Sequence, residues 1–164
     1  MLSPSEAQSC LLTLSRKESH REHLEDHQGV SERRNPACGD EIWLLCRFTG
    51  EPLRSEIRYQ AQSCAVTHAS AAVLCEWLSG LSLEALQERM EQVRAYLESS
   101  AESGIEWEQD WAQTEMQALG LFRTRPMRMK CVTLPWLALE DQVDKYYADS
   151  TCLKSDRSST SETS

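Results

Sequence analysis

Four side chains able to bind metal lie far apart in this chain, each in a distinctive setting, and any fold that uses them must bring them to one point. They occur in Asn35-Pro36-Ala37-Cys38-Gly39-Asp40, in Gln62-Ser63-Cys64-Ala65-Val66-Thr67-His68 and in Arg128-Met129-Lys130-Cys131-Val132-Thr133. Cys38, Cys64 and Cys131 offer three soft ligands and Asp40 a hard one. That set suits a tetrahedral zinc ion or an iron-sulfur cluster better than a disulfide framework. In an extended backbone residues two apart share a side, and Gly39 lets the chain bend until the Cys38 sulfur and the Asp40 carboxylate reach one ion. Pro36 pushes Asn35 out of the helical region and stiffens the approach. Cys64 and Cys131 each precede a predicted helix, where unpaired N–H groups favour a thiolate. A shell of three thiolates and a carboxylate is strongly negative, and Arg128 and Lys130 are placed to offset it.

A chain of 164 residues suits one domain with a real core. Its formal charge of -9 argues against binding a phosphate backbone, which needs clustered Lys and Arg, so nucleic acid is not an expected partner. No apolar run approaches the roughly 20 residues of a membrane span, and the acidic start does not read as a signal peptide. A soluble cytoplasmic protein is expected. Seven cysteines, an odd number, cannot all pair within one chain, and in a reducing compartment they stay thiols.

The chain divides by composition into a polar, partly helical segment over 1–28, a domain over 29–148 and a disordered tail over 149–164 that cannot bury enough apolar surface to offset its ordering entropy. Cys152 in that tail reads as incidental. His20, His23 and His27 would share a face if their segment were helical, although such runs are more often solvated surface than metal sites. Residues 41–48 and 53–59 read as an antiparallel hairpin joined by Thr49-Gly50-Glu51-Pro52. Residues 65–79 form an Ala-rich helix stopped by Gly80, and Ser82 caps a second helix carrying the apolar stripe Leu83, Leu86, Met90, Val93 and Leu97. Further helices are predicted over 105–119, with Trp107 and Trp111 one turn apart, and over 133–147, with Pro135 in its first turn. Few strands followed by mostly helices predict an α+β fold, a small antiparallel sheet of two or three strands packed against several helices. Cys10, Cys46 and Cys75 read as small core residues. His68, one turn after Cys64, is a weaker candidate ligand.

The order of the three segments and the residues around each cysteine resemble the IscU/NifU-like iron-sulfur assembly scaffolds from about Arg34 to Tyr147, and within them the SufU-type zinc-binding sulfur acceptors. The resemblance implies that Cys38, Asp40, Cys64 and Cys131 bind zinc. Two traits are SufU-like: Lys130 stands where the IscU branch usually has His, and residues 80 to about 119 form a long insertion. Ala61 and Ser63 depart from the glycines common before the second cysteine. The region before the first motif is also diverged, with only Glu25-Asp26-His27 matching it. In the implied mechanism a pyridoxal-phosphate cysteine desulfurase carries a persulfide and offers a replacement zinc ligand. Cys38, thus released, takes the outer sulfur and passes it to a downstream iron-sulfur assembly complex. Two alternatives stay open: a scaffold that builds an iron-sulfur cluster on the same ligands, and a structural-zinc protein that binds a desulfurase without carrying sulfur.

Overall fold

Strict alternation along one strand sets the architecture. A computed structural model describes residues 2–99 and 110–159, in the order α1 (Pro4–Ser15), β1 (Ser31–Asn35), β2 (Asp40–Thr49), β3 (Arg54–Gln62), α2 (Ala65–Leu78), α3 (Leu83–Glu98), α4 (Asp110–Gly120) and α5 (Pro126–Ser159). The three strands form one antiparallel sheet in the order β1-β2-β3, so the expected α+β fold is the observed one. In the central strand β2, Ile42 and Leu44 point into the main core with Ile57, Tyr59 and Leu74, whereas Trp43 and Leu45 point to the other face and pack with Leu24. Both faces of β2 are therefore covered, and each large apolar side chain buried there contributes roughly 1.5–3 kcal/mol.

The β2–β3 hairpin has the predicted turn, with register Cys46↔Ile57 and Thr49↔Arg54 and Gly50 at φ +84°. Strand β1 was not visible in the sequence pattern. Ser-Glu-Arg-Arg-Asn has no apolar alternation, and it becomes a strand by pairing with β2 from Ser31↔Leu44 to Asn35↔Asp40. Where that pairing stops, the buried side chain of Gln142 on α5 takes over, accepting the backbone N–H of Cys46 at 3.0 Å and donating to Gly29 O and Ser31 Oγ, both at 2.7 Å.

Helices α2 and α3 fall close to expectation. Gly80, at φ +80°, follows the end of α2, and Ser82 caps α3 by accepting the N–H of Ala85 at 3.3 Å. The stripe of α3 buries Leu86, Val93 and Leu97. Helix α4 supplies the 110–119 part of the expected helix, while the Trp107–Trp111 pairing lies outside the described residues. The N-terminal histidines do not share a helical face: α1 ends at Ser15, and His20, His23 and His27 follow in an irregular run. That run adds to the free edge of β3, where His20 O accepts the N–H of Tyr59 at 3.0 Å and Tyr59 O accepts that of Glu22 at 3.0 Å.

Helix α5 differs most from expectation. It starts at Pro126 rather than near Thr133, which puts Pro135 in its interior and Cys131 inside the helix rather than before it. An interior proline cannot donate to the carbonyl four residues back and costs about 3 kcal/mol in an isolated helix. Here two side-chain hydroxyls of α2 meet the break. Thr67 Oγ1 lies 3.2 Å from Cys131 O, Ser70 Oγ donates to Val132 O at 2.6 Å, and Trp136 Nε1 donates to Ser70 Oγ at 3.0 Å. At its other end α5 continues to Ser159, past residue 149 where composition predicts a disordered tail. Propagating a helix that is already nucleated and packed costs far less than starting one.

Candidate metal centre

The tip of the β1–β2 hairpin presents the first two donors. Asn35 Oδ1 accepts the N–H of Ala37 at 3.1 Å and Asn35 O accepts that of Gly39 at 2.9 Å, closing a tight turn in which Gly39 takes φ +74°. Cys38 and Asp40 thus converge through a hairpin loop rather than along an extended strand. The left-handed conformation at Gly39 is the one glycine tolerates without strain.

The turn sets Asp40 against the start of α2. Its Oδ1 accepts the backbone N–H of Cys64 at 2.9 Å, and its Oδ2 accepts the hydroxyl of Thr67 at 2.7 Å and lies 3.3 Å from Cys64 Sγ. Cys64 is the N-cap residue of α2 but makes no side-chain cap of its own, so the carboxylate fills that role from another element. Burial pushes the pKa of Asp40 upward, but the bonds from Thr67 and from the Cys64 backbone outweigh it and hold the carboxyl below its ordinary range.

Helix α5 brings the last donor. Cys131 is 1 % exposed, and its Sγ lies 3.6 Å from Sγ of the exposed Cys38. Burial, followed by its hydrogen bonds to Cys38 and Asp40, pushes the Cys131 thiol up in the metal-free protein. Ligand atoms of Cys38, Asp40 and Cys131 all lie within 4.8 Å of one another, and Cys64 adjoins them through Asp40.

The separations of two donor pairs match metal ligation, Cys38 with Cys131 and Cys64 with Asp40, although Cys64 stands outside the group of three whose atoms converge. Two sulfurs held at about 2.3 Å by one zinc ion stand roughly 3.8 Å apart, and a sulfur and a carboxylate oxygen roughly 3.5 Å apart. The observed 3.6 Å and 3.3 Å are close to both.

The remaining candidates are placed differently. Arg128 and Lys130 are exposed in the first turns of α5. His68 is outside the cluster: its ring lies tilted with its centroid 6.1 Å from that of Tyr59, its Nδ1 is buried with no hydrogen-bond partner among the described residues, and burial lowers its basicity. Cys75 is fully buried and Cys46 is pushed up to about 12 by burial, as suits unreactive core thiols, while Cys10 is partly buried against the core. The side chain of Cys152 lies outside the described residues. Sequence reasoning missed Thr67, because a hydroxyl three residues after a helix-capping cysteine carries no signal until its partners on β2 and α5 are known.

A family model described as the NifU-like N terminal domain matches residues 12–152. The chain belongs to this family. Among its relatives, a protein named zinc-dependent sulfurtransferase SufU from Bacillus subtilis is 28% identical over 116 residues, covering 71% of this chain and 75% of that one. A protein named iron-sulfur cluster assembly scaffold protein IscU from Thermotoga maritima is 23% identical over 136 residues, covering 82% and 90%. Similar folds occur in a NifU-like protein (N-terminal) from Brucella abortus, at TM-score 0.66 and 16% identity over 86% of this chain and 96% of that one. A candidate iron-sulfur cluster assembly scaffold for the SUF system from Fervidobacterium islandicum has TM-score 0.66 and 24% identity over 87% and 99%. Membership places the protein among iron-sulfur cluster assembly proteins of the IscU/SufU type. No helix among the described residues is long and apolar enough to cross a membrane.

Proposed function

We propose that this protein is a zinc-dependent sulfur acceptor, in which Cys38 takes persulfide sulfur from a cysteine desulfurase for iron-sulfur cluster assembly. The observation that carries this reading is the asymmetry of the donor set: Cys38 is exposed at a hairpin tip, while Asp40 and Cys131 are buried beneath it. One thiol is open to a partner and the others are positioned to retain an ion. The SufU relative named for zinc and sulfur transfer supports the same choice.

Zinc, held by Cys38, Asp40, Cys64 and Cys131, would supply a thiolate at neutral pH without redox chemistry of its own. The Cys38 thiolate attacks the outer sulfur of the donor persulfide. A new S–S bond forms on Cys38, the S–S bond of the donor breaks, its cysteine leaves as a thiolate, and the persulfide proton travels with the transferred sulfur, so there is no net oxidation. Arg128 and Lys130, exposed near the start of α5, would lower the cost of the negative charge.

The test is incubation of the zinc-loaded protein with a desulfurase and free cysteine, followed by mapping of the persulfide by mass spectrometry. Label on Cys38, abolished in Cys38→Ala, is expected. Label on Cys64 or Cys131 with Cys38 unlabelled overturns the assignment. A second reading, cluster assembly on the same four residues, is favoured by the IscU relative that covers 82% of the chain. Anaerobic purification yielding a visible-absorbing protein with iron and sulfide would establish it in place of the first.

A further inference from the structure

We propose that Thr67 is the positioning residue of the metal centre, orienting the Asp40 carboxylate through its buried hydroxyl. The inference rests on the reading of Cys38, Asp40, Cys64 and Cys131 as the donor set. Thr67 is fully buried in the first turn of α2, and its Oγ1 touches three of the four residues: Asp40 Oδ2 at 2.7 Å, Cys131 O at 3.2 Å and Cys64 Sγ at 3.7 Å. A hydroxyl has one proton to donate, and the charged carboxylate is the stronger acceptor. Thr67 therefore donates to Asp40. With the Cys64 N–H on Oδ1, this fixes both oxygens of the carboxylate and so the direction of their remaining lone pairs. The same oxygen lies 3.2 Å from Cys131 O, the carbonyl that Pro135 deprives of its helical donor, but with its proton committed to Asp40 it does not satisfy that carbonyl.

Ser70, one helical turn further along α2, supplies a built-in control. Its hydroxyl donates to Val132 O and accepts from Trp136 Nε1, groups of the same helix break, and both of these partners lie outside the four donors. Ser70 ties α2 to α5 by hydrogen bonds, whereas Thr67 orders a ligand. Groups that orient metal ligands typically change affinity by about 10–100-fold when removed, whereas a structural hydrogen bond changes stability without changing the geometry of the site.

The experiment compares the full chain with Thr67→Val, Thr67→Ser and Ser70→Ala. Zinc affinity is read by competition with a chromophoric chelator, ligand geometry by the absorption bands of the cobalt(II)-substituted protein, and stability of the metal-free forms by urea denaturation. Thr67→Val should lose about 10–100-fold in zinc affinity and shift the cobalt bands, and Thr67→Ser should restore both. Ser70→Ala should lower stability while keeping wild-type affinity and bands. Wild-type affinity and bands in Thr67→Val overturn the proposal, as does a loss of affinity in Ser70→Ala matching that in Thr67→Val. If Thr67→Val does not fold, Thr67→Ala is judged by the same readouts, and retention of the wild-type cobalt spectrum in Thr67→Ser at wild-type affinity remains required. A wild-type chain that takes up neither zinc nor cobalt would instead refute the donor-set reading itself.

Discussion

The carboxylate of Asp40, at the first residue of β2, caps α2 by accepting the backbone N–H of Cys64 at 2.9 Å. One side chain thus serves both a candidate ligand set and the helix that carries the next ligand. Asp40→Ala should lower the stability of the metal-free protein by about 1–3 kcal/mol, through loss of charge-assisted bonds to Cys64 and Thr67. Because the folded-state value of Asp40 is lowered, this contribution is present at neutral pH and is lost as the pH falls below the ordinary carboxylate range. Urea denaturation of the metal-free wild type and variant from neutral to acidic pH should show the two curves converging. Zinc should bind the three thiolates of Asp40→Ala at least as weakly as it binds Thr67→Val, and persulfide transfer should slow.

Removal of the other ligands separates holding the ion from accepting sulfur. Cys64→Ser and Cys131→Ser should lose zinc and the thermal stabilisation it confers, because the ion would tie the hairpin tip to two helices. Cys38→Ala should keep part of its zinc while losing transfer. Metal analysis and thermal melts with and without chelator measure the difference. Full zinc and unchanged melting temperatures in both serine variants would show that these cysteines are not ligands.

Away from the centre, Glu115 on α4 has a buried Oε2 with no partner, and burial together with nearby Glu76 raises it from 4.5 to about 7, only partly offset by Lys17. A raised acid is protonated in the folded chain before it is in the unfolded one, so its contribution is full below about 4.5 and is lost as pH rises through about 7. Glu115→Gln should therefore stabilise the protein at pH 8 by about 1–2 kcal/mol, allowing for solvent screening, and have little effect at pH 4. A variant whose gain is independent of pH would point to packing rather than charge.

Gln142→Ala should be among the more costly substitutions outside the centre. It removes three hydrogen bonds at once and leaves the buried N–H of Cys46 beyond the end of β1 without its acceptor. A loss of about 2–4 kcal/mol in denaturant midpoint analysis is expected. A loss below about 0.5 kcal/mol, typical of surface substitutions, would mean that the sheet edge is satisfied in another way.

Local chemistry was enough to read the β2–β3 hairpin, α2 with its glycine stop, the Ser82 cap of α3 and the identity of the candidate donors, because turn residues, caps and apolar periodicity act within a few positions of one another. Other features depended on partners distant in sequence. Ser31–Asn35 is a strand only because β2 offers it an edge, and residues 16–30 are ordered against Tyr59 and the second face of β2 rather than by any pattern of their own. Cys131 sits inside α5 because Ser70 of α2 donates to Val132 O beside the break at Pro135. The sequence by itself determined which atoms could hold a metal ion. Only the tertiary structure decided their arrangement, with Cys38 exposed, Cys131 buried 3.6 Å away and Asp40 fixed by Thr67, because burial and hydrogen-bond partnership are properties of residues brought together across the fold.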